Sequence, residues 1–292
     1  MDARQLEYFV TIVDEGGFHR AAERLHVAQP SLSQAVRTLE RDVGVALFHR
    51  LGRRAVLTEA GRAMLEPARQ VLRDLDTTRA TVESVKGLRT GRVQVAVLPS
   101  QSVEPLTAMI GRFHEADPGV LVSVQPAFTA PEAADMVRGG RSELGLIGAA
   151  EDFALPGLRE HLVERQRFVV VTGPDGPWEP TRAAVGRAEL AGQRVITSPQ
   201  GNRMRHVVDE IIAQGVDLRI VVETAHREAI LPLVLRGAGV AVLTEGWAEF
   251  ARGSGARVFD LDPAAELRIS LIHRPAPLSP AAQRFLDSAL RR

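Results

Sequence analysis

Ser33, Gln34, Arg37 and Arg41 fall on one side of a helix when successive residues are set about 100° apart. Glutamine can bond bidentately to adenine and arginine to guanine, while serine serves bases or phosphates. A row of these types therefore has the chemistry to read the edge of a DNA groove. Between His19 and Thr58, seven arginines stand against three acids in a chain whose formal net charge is zero. That local surplus suggests a phosphate-facing patch. A solvated helical hairpin with ordinary surface charge would show the same periodicity, so spacing alone does not separate the two readings.

The elements that must position this row are short helices. Leu6, Phe9, Val10 and Val13 repeat at i, i+3, i+4 and i+7, predicting a first helix over 5–15 that Gly16 and Gly17 end. Phe18, Ala21, Ala22 and Leu25 repeat the pattern in a second helix. After a break at His26 to Ala28, a third begins near Gln29. Pro30 suits its first turn, and Gln29 or Ser31 stand where a cap is expected. Leu32, Ala35, Val36, Leu39 and Val43 form its buried face, and Gly44 stops it. Two helices joined by a tight turn, the later one with a Ser/Gln/Arg face, make a helix-turn-helix. Leu47 to Thr58 then reads as a two-stranded wing around a turn at 51–53.

These residues also carry a resemblance. AAERLHVAQPSLSQAVRTLERDVGVALFHR, followed by LTEAG, resembles the N-terminal domain of LysR-type transcriptional regulators. The likeness is dense over 6–65 and continues more diffusely to about Leu243. It implies that Gln29, Pro30, Ser31, Ser33, Gln34 and Arg37 contact bases and backbone of a double-stranded operator. It also implies that the wing follows the minor groove, with Arg53 and Arg54 at its tip, where arginine favours the negative potential. A hairpin that touches only phosphate is the alternative for those two.

Thr58 begins a longer helix predicted to run to about Lys86. Met64, Ala68, Val71, Leu75, Thr78, Val82 and Val85 alternate spacings of four and three, a heptad seam for helix-on-helix packing. Pro67 inside it predicts a kink or a late start. The resemblance implies a linker helix that pairs two subunits through Met64, Val71, Leu75, Val82 and Val85, giving a homodimer and, by the same likeness, a tetramer. Packing on its own domain is the alternative.

Beyond the boundary at GLRTG (87–91), strands and helices alternate in a β-α-β-α-β order. Strands are expected over 92–98, 120–125, 144–147, 168–172, 194–197, 218–223, 240–243 and 267–272. Helices are expected over 102–116, 131–138, 203–214, 227–236 and from Pro280. This order predicts a parallel or mostly parallel sheet. Two similar α/β halves resemble the bilobed, periplasmic-binding-protein-like effector domain of the family, with crossings between lobes near 161–168 and 260–267. The expected domains are a winged helix-turn-helix over 1–58, a linker helix over 59–90 and a regulatory domain over 91–292. Lobe I of that domain is set at about 91–162 and 266–292, lobe II at about 163–265.

In open α/β sheets, ligands bind beyond the C-terminal ends of strands, where helices start. Ser100, Gln101 and Ser102 follow one strand, Thr129 precedes a helix, and Thr197, Ser198 and Arg203 follow a strand of the second half. Thr224 and Gly148 are weaker candidates. Hydroxyls and backbone N–H groups there suit a carboxylate or another small anion, though capping is the commonest work of Ser or Thr at a helix start.

Other chemistries find little support. The chain has no cysteine, so disulfides, thiolate metal sites and cysteine nucleophiles are excluded. No GxSxG, HExxH or P-loop pattern occurs, the eight histidines are scattered, and no catalytic residue, metal or cofactor is assigned. No run approaches the roughly 20 apolar residues of a membrane span, and MDARQLEYFV lacks the features of a signal peptide, so a cytoplasmic protein is expected. The reading is a LysR-type regulator whose grip on DNA responds to a small effector. The resemblance also admits RNA polymerase as a partner. A solute-binding protein would explain the bilobed half without the N-terminal third, and an enzyme with a DNA-binding appendage has no catalytic set behind it.

Overall fold

The computed structural model describes residues 1–49, 55–85, 91–151 and 153–291. They group into two compact units, Met1–Leu88 with Gly139–Arg141, and Arg89–Arg138 with Ser142–Arg292.

The first unit is built from α1 (Ala3–Asp14), α2 (Phe18–Arg24), α3 (Gln29–Val43), β1 (Phe48–His49), β2 (Val56–Leu57) and α4 (Glu59–Val85). Helix α1 starts two residues earlier than its apolar spacing suggests. Asp2 accepts from the Gln5 backbone while the Gln5 side chain reaches back, a reciprocal cap that satisfies two first-turn donors. Leu6, Phe9, Ile12, Leu32, Val36 and Leu39 interlock as the core. The rings of Phe9 and Phe18 stand 5.5 and 5.4 Å from that of Phe48, tying the root of the wing to the same core. Helix α3 ends at Gly44, whose φ of 76° is the left-handed turn that a side chain would oppose.

Helix α4 runs unbroken through Pro67, so a late start is not what occurs. Pro67 is exposed, which leaves the carbonyl that it cannot serve open to water. The heptad seam divides. Ala68 is buried, and Met64 packs with it into the unit's own core, so Met64 is engaged within its own chain. Val71, Leu75 and Val82 are exposed. The side chain of Val85 lies outside the described residues.

The second unit contains β3 (Gly91–Val97), α5 (Pro99–Val103), α6 (Leu106–Ala116), β4 (Val120–Pro126), α7 (Ala130–Arg138), β5 (Leu144–Ala149) and β6 (Arg159–Thr172). It continues with β7 (Ala184–Gly186), β8 (Arg194–Thr197), α8 (Arg203–Ala213), β9 (Arg219–Glu223), α9 (Ile230–Leu235), β10 (Ala241–Thr244), α10 (Ala248–Gly253), β11 (Arg257–Asp262), β12 (Glu266–His273) and α11 (Pro280–Leu290). Pro105 divides the single helix expected over 102–116, because it offers no N–H and disfavours a helical residue before it.

The sheet is mixed rather than mostly parallel. β3 pairs parallel with β4 and β5, as βαβ units require, but β12 runs antiparallel to both β5 and β6. The segment expected as a crossing near 161–168 is the middle of the fourteen-residue β6. Its first part pairs with β12, and its last residues, Phe168 to Thr172, pair antiparallel with β10 and β11. One strand thus passes from one lobe to the other, paired with β12 over its first part and with β10 and β11 over its last residues. β8 and β9 form a small parallel pair beside β10.

Candidate functional site

Two places in the chain gather polar side chains for a ligand, one in each unit. In the first, α3 turns Leu32, Val36 and Leu39 into the core, which leaves Gln29, Pro30, Ser31, Gln34 and Arg37 exposed and Ser33 half-buried. The cap position belongs to Ala28, not to Gln29 or Ser31, so both of those side chains are spared from capping. Arg37 Nε donates to the Ser33 carbonyl at 3.3 Å, and Arg41 donates to the Thr38 hydroxyl at 3.0 Å.

The acids of α3 are employed elsewhere. Glu40 accepts from the Leu47 backbone at 2.8 Å, holding the start of the wing, and Asp42 pairs with the chain's amino group at 2.6 Å. Among the described residues, no carboxylate pairs with Arg37. The arginine face therefore keeps its positive charge. Arg53 and Arg54 lie outside the described residues.

In the second unit a cavity of about 460 Å³ opens between the lobes. Ser100 and Gln101 on α5 reach it from one side; Arg203 and Arg205 on α8, Arg227 and Thr244 reach it from the other. Of the eight residues predicted from sequence, the structure brings Ser100, Gln101 and Arg203 to this cavity. The other five have local occupations or lie aside. Ser102 donates to the Pro99 carbonyl at 2.7 Å, and Thr129 caps α7 by accepting from Glu132 at 3.2 Å. Ser198 donates to Asn202, which caps α8, and Thr224 accepts from the His226 backbone. Thr197 is buried with its hydroxyl unpaired, but it does not line the cavity.

Charge in the cavity is mostly balanced. Arg203 donates to Glu210 at 2.6 Å, and Arg205 pairs with Asp209 at 2.7 Å and with Glu223. These acids hold the Arg205 guanidinium more firmly charged than usual despite its burial. Arg227 differs. It precedes α9 on a short 3-10 turn, is 6% exposed, and donates to the Ser100 hydroxyl across the cavity. No acid pairs with it among the described residues, and burial pushes its pKa down to about 10.

Sequence reasoning passed over Arg227 because an arginine at a helix start is ordinarily a solvated one. The fold buries it. In the lining of the same cavity, both amide atoms of Gln101 and the Thr244 hydroxyl are buried without partners. Gln101 has its place because residue 148 is glycine. A Cβ there would come within 2.8 Å of the Gln101 amide nitrogen and 2.7 Å of Leu267. Among the described residues no cluster of acids and histidines could hold a metal ion, and no helix is long and apolar enough to cross a membrane.

Comparison with known proteins assigns both units. Residues 3–62 match the family model described as bacterial regulatory helix-turn-helix protein, lysR family, and residues 86–292 match the LysR substrate binding domain. The transcriptional regulator IlvR of Caulobacter vibrioides is 29% identical over 98% of this chain and 96% of its own. The regulator TfdS of Cupriavidus pinatubonensis is 29% identical over all of this chain and 98% of its own. Among solved structures, full-length CbnR complexed with its target DNA matches with a TM-score of 0.70 at 24% identity, covering 99% of each chain. A full-length OxyR variant from Pseudomonas aeruginosa gives 0.75 at 22%, covering 99% of this chain and 93% of that one. These matches show the fold: an N-terminal helix-turn-helix followed by a bilobed, periplasmic-binding-protein-like domain.

Proposed function

The chain belongs to the LysR family of DNA-binding transcriptional regulators with an effector-binding domain, and we propose which of its residues do that work. Gln29, Pro30, Ser31, Ser33, Gln34 and Arg37 meet the operator, the longer side chains at base edges in the major groove and the shorter ones at the backbone. The observation that carries this is the outward polar face of α3 opposite Leu32, Val36 and Leu39, with the helix's two acids turned to other partners. Arg53 and Arg54 are assigned to the adjoining minor groove on the family likeness.

The second unit senses a small molecule in the cavity between its lobes. The effector must bind one arrangement of the lobes better than another, since only differential affinity alters the grip on DNA. Exposed Val71, Leu75 and Val82 supply a seam through which two copies pair, with further assembly to tetramers. We read the protein as a cytoplasmic regulator that returns its ligand unchanged. Catalytic residues, metals and cofactors have no part in this reading.

The test is selection of duplexes from a random pool by the full chain, followed by DNase footprinting with and without a metabolite panel. A motif of related half-sites, protected in patches spaced by whole helical turns of about 10–10.5 base pairs, is expected. A metabolite should shift or shorten the footprint. Failure to enrich any sequence at low salt would overturn the assignment of α3.

A further inference from the structure

Among the described residues, Arg227 is the cavity cation without an acid beside it, and that imbalance points to the chemistry of what fills the cavity. We infer that the effector is a small monocarboxylate with an apolar body, its carboxylate seated between Arg227, Ser100, Gln101 and Thr244. This deepens the effector-binding reading given above and rests on it.

Three observations converge. Arg227 is 6% exposed and, among the described residues, its guanidinium has a serine hydroxyl and no acid for a partner, whereas Arg203 and Arg205 beside the same cavity are matched with Glu210, Asp209 and Glu223. A buried charge without a counter-charge is costly, and a carboxylate that accepts two of its donors removes that cost. The Gln101 amide and the Thr244 hydroxyl line the same cavity, buried and unpaired, so donors are ready for the remaining lone pairs of the same carboxylate. Leu98, Pro131, Phe153, Phe168 and Leu267 supply apolar lining, while Arg203, Arg205 and His206, which also line the cavity, are already paired with Glu210, Asp209 and Glu223. One cation without an acid among the described residues, beside cations that are already matched and an apolar part of the wall, fits a single negative charge on an apolar body better than a phosphate or a dianion.

The arrangement also supplies regulation. Arg227 and Thr244 stand on one side of the cavity, Ser100 and Gln101 on the other, so one carboxylate that engages both pairs favours the arrangement of lobes that holds them together. At alkaline pH, as Arg227 loses its proton near pH 10, this anchor weakens.

The experiment uses the full chain and calorimetric titration with benzoate, phenylacetate, isovalerate and hexanoate, each beside its primary amide, together with inorganic phosphate and glucose. At least one acid should bind while its amide does not. Arg227→Gln should weaken that acid by roughly 10- to 100-fold, and Arg227→Lys, which keeps the charge but loses the fork, should fall between. Thermal unfolding guards against a misfolded variant, because Arg227→Gln removes an unpaired buried charge and should leave the ligand-free chain at least as stable as the parent. An acid and amide that bind equally, or an acid whose affinity ignores Arg227→Gln, would overturn the proposal. Binding of phosphate or glucose alone would overturn the carboxylate while sparing the effector-binding reading. If no probe binds, the monocarboxylate fails, and the footprint's response to the wider metabolite panel then decides the effector-binding reading separately.

Discussion

The face of α3 and the cavity between the lobes keep polar groups ready in opposite ways. On α3 the groups are solvated, and Leu32, Val36 and Leu39 behind them hold the helix whether or not anything is bound. Waiting for a ligand costs that face little, and each contact it makes replaces water with base or phosphate. In the cavity, Gln101 and Thr244 are buried with polar atoms unmet and Arg227 is buried with no acid beside it among the described residues, so the empty state carries a cost that a ligand relieves. Many modest contacts suit a long polyanion; a few costly ones suit a small molecule whose binding has to move an equilibrium.

The sharpest way to break the contrast is to remove the support of the solvated face. Leu32 is completely buried under the face that carries Ser31 and Ser33, so Leu32→Ala should destabilise the first unit by about 2–5 kcal/mol. Thermal unfolding would show it, and an unchanged transition would mean that α3 does not depend on its core face. The opposite sign is expected in the cavity. Arg227→Met removes a charge whose pKa burial lowers to about 10, a penalty of about 3 kcal/mol fully present at neutral pH. Above about pH 10 the unfolded chain holds the proton better than the folded one, so the parent regains that stability as pH rises further. The variant should be more stable than the parent at pH 7, and a loss of stability would show that Arg227 works chiefly as packing.

A smaller effect separates reading from steering on α3. Arg37→Ala should cost about 1–3 kcal/mol on the selected motif and much less on scrambled DNA if Arg37 meets a base edge. An equal loss on both, with a shallower salt dependence, would reassign it to phosphate.

The same difference explains what was legible beforehand. Apolar spacing fixes which side of α3 faces out, so its row could be read from residue types at regular intervals. The α/β alternation likewise indicated most element positions, while the bilobed arrangement came from the family resemblance and the antiparallel course of β12 from neither. The cavity depends on which distant segments meet. Arg227 looked like any solvated arginine near a helix start, and its meaning comes from Ser100 across the cavity. Thr129 and Ser198, with the right types in the right loops, turned out to serve helix starts. β6 was hidden for a related reason. Its HLVERQR stretch lacks clean alternation, and pairing with β12, a strand distant in sequence, rather than one apolar face, keeps it extended.

The smallest expected effect concerns the strand pair that joins the lobes, where burial again sets a titration. His273 on β12 stacks against His161 on β6, with ring centroids 5.1 Å apart and the Nε2 atoms 3.0 Å apart. Burial lowers the His273 pKa, the nearby His161 and Arg159 charges act the same way, and a hydrogen bond to the Arg274 carbonyl opposes them. The folded state therefore favours the neutral ring. As pH falls through the ordinary imidazole value of about 6.5, the unfolded chain takes up a proton that the folded chain resists, and stability declines until the folded pKa is passed. Melting temperatures of the parent and His273→Gln between pH 7.5 and 5 measure this directly. The parent should lose more stability over that interval than the variant. Parallel curves would mean that the ring is protonated as readily in the folded chain as in the unfolded one. Burial at this crossing would then be too shallow to discriminate charge, unlike burial at Arg227.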